Sequence, residues 1–126
     1  MFHNYNSLKD LRLYWYSECQ VVYEILKERL SDEPTILEGQ MREAESYCAR
    51  MQVCLAQANS VLDLTEFKSL PTKESGTELD RKIGLASAVR EERSFRSAVE
   101  GLVKSLSIRI NSCQSLLNYH RSLKNI

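Results

Sequence analysis

The stretch LEGQMREAESYCARMQVCLAQANSVL, residues 37–62, decides the fold of this chain. Its apolar positions Leu37, Met41, Ala44, Cys48, Met51, Leu55, Ala58 and Leu62 alternate strictly by four and three residues. That spacing keeps one side of an α-helix in register with a partner helix and defines a coiled-coil seam. The helix continues through Phe67 and ends before Pro71, because proline cannot continue it. Several seam residues are small or unbranched, so close and adaptable packing is expected along it.

Working outward, a first periodic segment runs from about Ser7 to Leu30, with Leu8, Leu11, Trp15, Cys19, Val22 and Leu26 on one face. Ser31-Asp32-Glu33-Pro34 stops it and starts the next helix, with Asp32 or Glu33 near the cap and Pro34 in the first turn. So short a connection predicts an antiparallel hairpin. Residues 71–76, Pro-Thr-Lys-Glu-Ser-Gly, form the one flexible linker. Beyond it Ser75…Glu78 and Thr77…Asp80 both have capping-box spacing. A third helix over 77–124 carries the seam Val99, Val103, Leu106, Ile110, Cys113, Leu117 and His120, widened by Leu102, Leu116 and Leu123. Its pattern blurs between Gly84 and Phe95, where a kink or break is allowed for.

At about 1.5 Å per residue the second helix (34–69) is roughly 50 Å long and the third roughly 70 Å. A compact chain of this length has a radius of gyration near ~14 Å. The expectation is one all-α domain over 1–126, with helices at about 7–30, 34–69 and 77–124. A long antiparallel hairpin and a third long helix would make it coiled-coil-like and oligomeric, the third helix packing against other subunits. An extended monomer is the alternative.

Composition removes several function classes. No run of about 18 apolar residues exists, so no membrane span is expected. The first 15 residues lack the basic and apolar segments of a secretory signal, which places the chain in the cytoplasm, or a host's cytoplasm if it is viral. The four cysteines, Cys19, Cys48, Cys54 and Cys113, form no C-x-x-C pair, and only His3 and His120 could assist them. They read as small buried hydrophobes, with no metal or cofactor expected. The glycines at 39, 76, 84 and 101 stand singly, so no loop cradles a phosphate, and no nucleophile or metalloprotease motif occurs. The chain reads as a binding protein rather than an enzyme.

Charge is balanced overall and segregated along the chain. Residues 1–80 hold eight Lys/Arg against fourteen Asp/Glu, and residues 81–126 hold nine against three. After Glu100 no acid follows. Arg81 and Lys82, with Arg90, Arg93 and Arg96 as a ridge, are candidates for phosphate contacts. Pairing with the acidic hairpin of a neighbouring subunit is the other reading, and the two can coexist. The aromatic run Tyr14-Trp15-Tyr16 is the second unusual feature. Successive helix residues point about 100° apart, so not all three rings enter one core. Trp15 lies on the apolar stripe with Tyr14 and Tyr16 flanking it, and the three together are candidates for base stacking or a subunit interface.

The run from Val99 to Leu117 and the segment R-I-N-S-C-Q-S-L-L-N-Y-H-R, residues 109–121, resemble the end of phage recombination mediators of the UvsY type. The order of elements is similar over nearly the whole chain, including an aromatic-rich first helix. The resemblance implies a homo-oligomer, such as a ring, that binds single-stranded DNA and helps load a RecA-like recombinase in place of the single-strand-binding protein. It assigns Lys104, Arg109 and Arg121 to the terminal helix's DNA contacts, with Arg81 and Lys82 at its start. Such mediators tend to be basic, whereas this chain is neutral, so acidic hairpins would face the recombinase while a basic surface holds DNA. The second reading is a coiled-coil adaptor that recruits partner helices and binds no nucleic acid.

Overall fold

The computed structural model describes residues 8–68 and 78–124, with side chains described for 8–67 and 89–124. Three helices follow one another: α1, Leu8–Lys27; α2, Pro34–Lys68; and α3, Glu78–Lys124. The linker 71–76, His3 and the serine and threonine of the two capping boxes lie outside the described residues. Among the described residues no helix is long and apolar enough to cross a membrane.

Local chemistry sets the boundaries. The Leu37 N–H bonds the Glu33 carbonyl at 2.9 Å, which makes Glu33 the cap and puts Pro34 at the first helical position. The Ser31 hydroxyl accepts from the Glu33 N–H at 3.0 Å and holds the turn before it. α1 stops at Lys27, short of Leu30, where its periodicity ends. The Glu28 N–H is shared by the Glu24 and Ile25 carbonyls at 3.2 Å each, so the last turn tightens and the chain leaves the helix. α3 runs as one continuous helix through Gly84 and Phe95, so the break allowed for there does not occur.

The dominant packing is α2 against α3, antiparallel and within one chain. At one end Leu37 clusters with Cys113 and Leu117. Midway the Cys48 thiol lies 4.0 Å from the Val103 carbonyl, and at the other end the Thr65 hydroxyl donates to Glu92 at 3.4 Å. The buried stripe expected to pack on other subunits is thus covered by α2 of the same chain. α2 is long enough to cover the α3 stripe from Val89 to Leu117, so its buried residues find partners in the same chain.

α1 lies along the groove of that pair, antiparallel to α2 and parallel to α3. Trp15 Nε1 donates to Gln57 Oε1 at 2.7 Å, and Glu18 pairs with Arg50. On the α3 side Arg12 lies over the Phe95 ring, 5.7 Å from its centroid. The main core therefore draws on all three helices, from Leu8, Leu11, Trp15 and Val22 through Met51 and Cys54 to Val99 and Leu106.

One buried amide organises the α1–α2 connection. Gln40 is 8% exposed, and its Oε1 accepts from the Ser31 N–H at 2.8 Å. Its Nε2 donates to the Arg29 carbonyl at 3.0 Å and to Glu28 Oε1 at 3.2 Å. Every polar atom of this side chain is used, and a satisfied buried network specifies one geometry. Gln40→Leu should lower stability by about 2 kcal/mol, because the Ser31 N–H and Arg29 carbonyl lose their partner. Urea denaturation would read this as a lower midpoint at unchanged slope. A loss within about 0.5 kcal/mol would mean that solvent replaces the amide.

Candidate nucleic-acid interface

The cations of α3 have different fates. Arg90, Arg93 and Arg96 are spaced by three, and each such step turns a side chain back by about 60° around the helix. Arg90 is exposed. Arg93 leans onto α2 and pairs with Glu66 at 3.2 Å. Arg96 is half-buried, and its Nε is enclosed without a hydrogen-bond partner among the described residues. The ridge read from the sequence thus rotates from solvent into the bundle.

Lys104 follows Arg90 by fourteen residues, nearly four whole turns, and so shares its outer edge. It is exposed and pairs along the helix with Glu100 at 3.3 Å. Arg109 is committed inside the fold: its Nη1 donates to the Glu28 carbonyl at 2.8 Å, just past the last turn of α1. A cation there also complements the negative end of the α1 dipole. Its Nε and Nη2 are enclosed without hydrogen-bond partners among the described residues. Arg121 is exposed and, with His120 and Lys124, lines a recess of about 220 Å³ beside Pro34, Thr35 and Glu38. Arg81 and Lys82 lie on α3, but their side chains are outside the described residues.

The aromatic run divides as its helical phase requires. Trp15 is 3% exposed, its N–H is bonded to Gln57, and the Arg50 guanidinium lies 5.8 Å from the ring centroid. It is a core residue with no face free for a base. Tyr14 meets its edge at 5.2 Å with the rings 79° apart and keeps half its surface in solvent, while Tyr16 is 67% exposed.

A second line on α1 escaped the sequence reading. Lys9, Leu13, Tyr16, Gln20, Tyr23 and Lys27 alternate by four and three residues, out of phase with the buried stripe, and all six are exposed. The spacing was visible, but its mixture of apolar and polar residues gives no periodic hydrophobic signal. Only burial of the other face identifies this one as open.

The cysteines are free. The Cys54 thiol donates a hydrogen bond to Cys19 and holds Cys19 below the ordinary thiol range, although burial acts the other way. Cys54 is pushed up by that same hydrogen bond, by burial and by the charge on Cys19. Burial also raises Cys113, with Arg109 opposing it. Among the described residues no group of three or more His, Cys, Asp or Glu is placed to hold a metal ion.

Comparison with known protein families, characterised proteins and solved structures gives no match to this chain.

Two measurements check this geometry. Trp15 is the single tryptophan. Its fluorescence should resist acrylamide quenching in the native protein, become several-fold more quenchable in urea, and stay unquenched when oligo-dT is added. Strong quenching by the native-state strand would put the indole at the surface. Separately, iodoacetamide should modify Cys19 ahead of the three buried thiols, with a pH midpoint below that of an ordinary thiol. Cys54→Ala should move that midpoint upward, because the thiolate loses its donor; an unmoved midpoint would remove the hydrogen bond from the account.

Proposed function

We propose that this protein is an oligomeric, non-catalytic mediator that binds single-stranded DNA. It helps a RecA-like recombinase replace the single-strand-binding protein. The observation that carries the proposal is the set of exposed cations on α3, Arg90, Lys104, Arg121 and Lys124, on a helix with no acid after Glu100. They span about 50 Å of helix, Arg90 and Lys104 on its outer edge and Arg121 and Lys124 on the side towards α2, so a strand held by all four would cross the helix as it runs along it. The resemblance of residues 99–121 to the UvsY-type mediators points the same way. In an oligomer these weak contacts multiply, since each subunit holds the same strand at high effective concentration.

Self-association has a candidate surface on the outer side of α3. Ile108, Leu116, Tyr119 and Leu123 are all exposed there, with Lys104 at the edge of the patch. The same surface supports the second reading, a helical adaptor that receives a partner helix and binds no nucleic acid.

Fluorescence anisotropy of labelled oligo-dT separates the two. Four phosphate contacts per subunit give a log–log salt slope of roughly −3, or ~50-fold weaker binding at 200 than at 50 mM salt. Arg90→Glu with Lys104→Glu should weaken binding and make the slope shallower by at least about 1.4. An unchanged slope would take this edge out of the DNA path. No binding by the unaltered protein at 50 mM salt would leave the adaptor reading alone.

A further inference from the structure

We infer that the surface of this protein that contacts the bases of a single strand is the outer face of α1, with Tyr16 and Tyr23 as stacking platforms. This rests on the single-strand-binding reading above and adds to it where and how bases are held.

The face is built by phase. Leu8, Leu11, Trp15, Val22 and Ile25 are buried and fix the rotation of α1 in the groove of α2 and α3. That rotation leaves Lys9, Leu13, Tyr16, Gln20, Tyr23 and Lys27 facing solvent along one line of about 27 Å. Leu13 and Tyr16 are 69% and 67% exposed, and Tyr23 is 43% exposed. Tyr16 and Tyr23 stand seven residues apart, about 10 Å along the axis, which is about three base steps of ~3.4 Å. A ring held by its helix at that spacing can stack on one base without ordering a loop, and such stacking tolerates any base.

Charge selects the occupant. The charged members of the line are Lys9 and Lys27, one at each end, with Arg12 beside it and anchored over Phe95. On the other flank stand two exposed acids, Asp10 next to Lys9 and Glu24, which lies 3.7 Å from Lys27. A second copy docking by this same line would meet like charge either way. Parallel pairing sets Lys9 on Lys9 and Lys27 on Lys27, and antiparallel pairing sets Lys9 on Lys27. A polyanion satisfies both ends. A duplex would satisfy the lysines but offers no free base faces to the tyrosines, whereas a single strand offers both.

The test uses the full chain and labelled oligo-dT, with Tyr16→Ala/Tyr23→Ala compared against Tyr16→Phe/Tyr23→Phe. Both rings are exposed, so both double variants should keep the native circular dichroism and urea midpoint. The alanine pair should bind at least ~30-fold more weakly with an unchanged salt slope, since it removes stacking and no charge. The phenylalanine pair should bind as the unaltered protein does, and duplex DNA should be insensitive to either change. Unaltered affinity in the alanine pair would overturn the inference while leaving single-strand binding in place. Equal loss in the phenylalanine pair would overturn it in favour of hydroxyl contacts. A change of sedimentation coefficient in the alanine pair, without DNA, would overturn it by making this line a protein interface. No binding by the unaltered protein would fail the mediator reading itself.

Discussion

α2 has to be covered on two adjacent sides, and the rest of the structure follows from that. One side is the seam that includes Leu37, Ala44, Cys48, Met51, Ala58 and Leu62, which faces α3. The other is a row with a seven-residue repeat, Gln40, Tyr47, Cys54 and Val61, turned towards α1. Each fully buried apolar side chain contributes about 1.5–3 kcal/mol relative to an exposed one. A helix with two such rows is stable only with a partner on each. The long α3 covers the first along most of α2, and the short α1 covers the second from Val61 to Gln40, where the chain turns back.

That turn is the point at which polar groups must be accounted for. A helix leaves its last carbonyls unpaired, and the connector 28–33 runs over the second small core of Leu37, Cys113 and Leu117, with Leu30 packed on it. Gln40 from α2 satisfies the Arg29 carbonyl, and Arg109 from α3 satisfies that of Glu28. The three helices are thereby tied at one end by two polar side chains. This explains why an arginine from the basic part of the chain is drawn inward instead of facing an outside anion.

The surface is what these demands leave over. Arg93, Arg96 and Arg109 are engaged by the fold to different degrees, while Arg90, Lys104, Arg121 and Lys124 keep their charge in solvent. Trp15 is consumed by the core, and its neighbours Tyr14 and Tyr16 are released by the same rotation. The open surfaces here are the faces that packing did not require, on helices whose phase packing fixed.

The sequence by itself determined the three helices, the antiparallel α1–α2 turn with Pro34 opening α2 after it, and most of the buried seam positions, because periodicity and capping act within a few residues of one another. It also determined that charge is segregated along the chain. Only the tertiary structure decided that α3 packs on its own α2, that the row through Gln40 and Cys54 is a second contact face, and that Arg109 caps α1 while Arg90 is exposed. Those outcomes depend on which helix lies in which groove and at what rotation. Residues far apart in the chain, such as Glu28 and Arg109, meet only once the bundle closes, and no local pattern records that meeting.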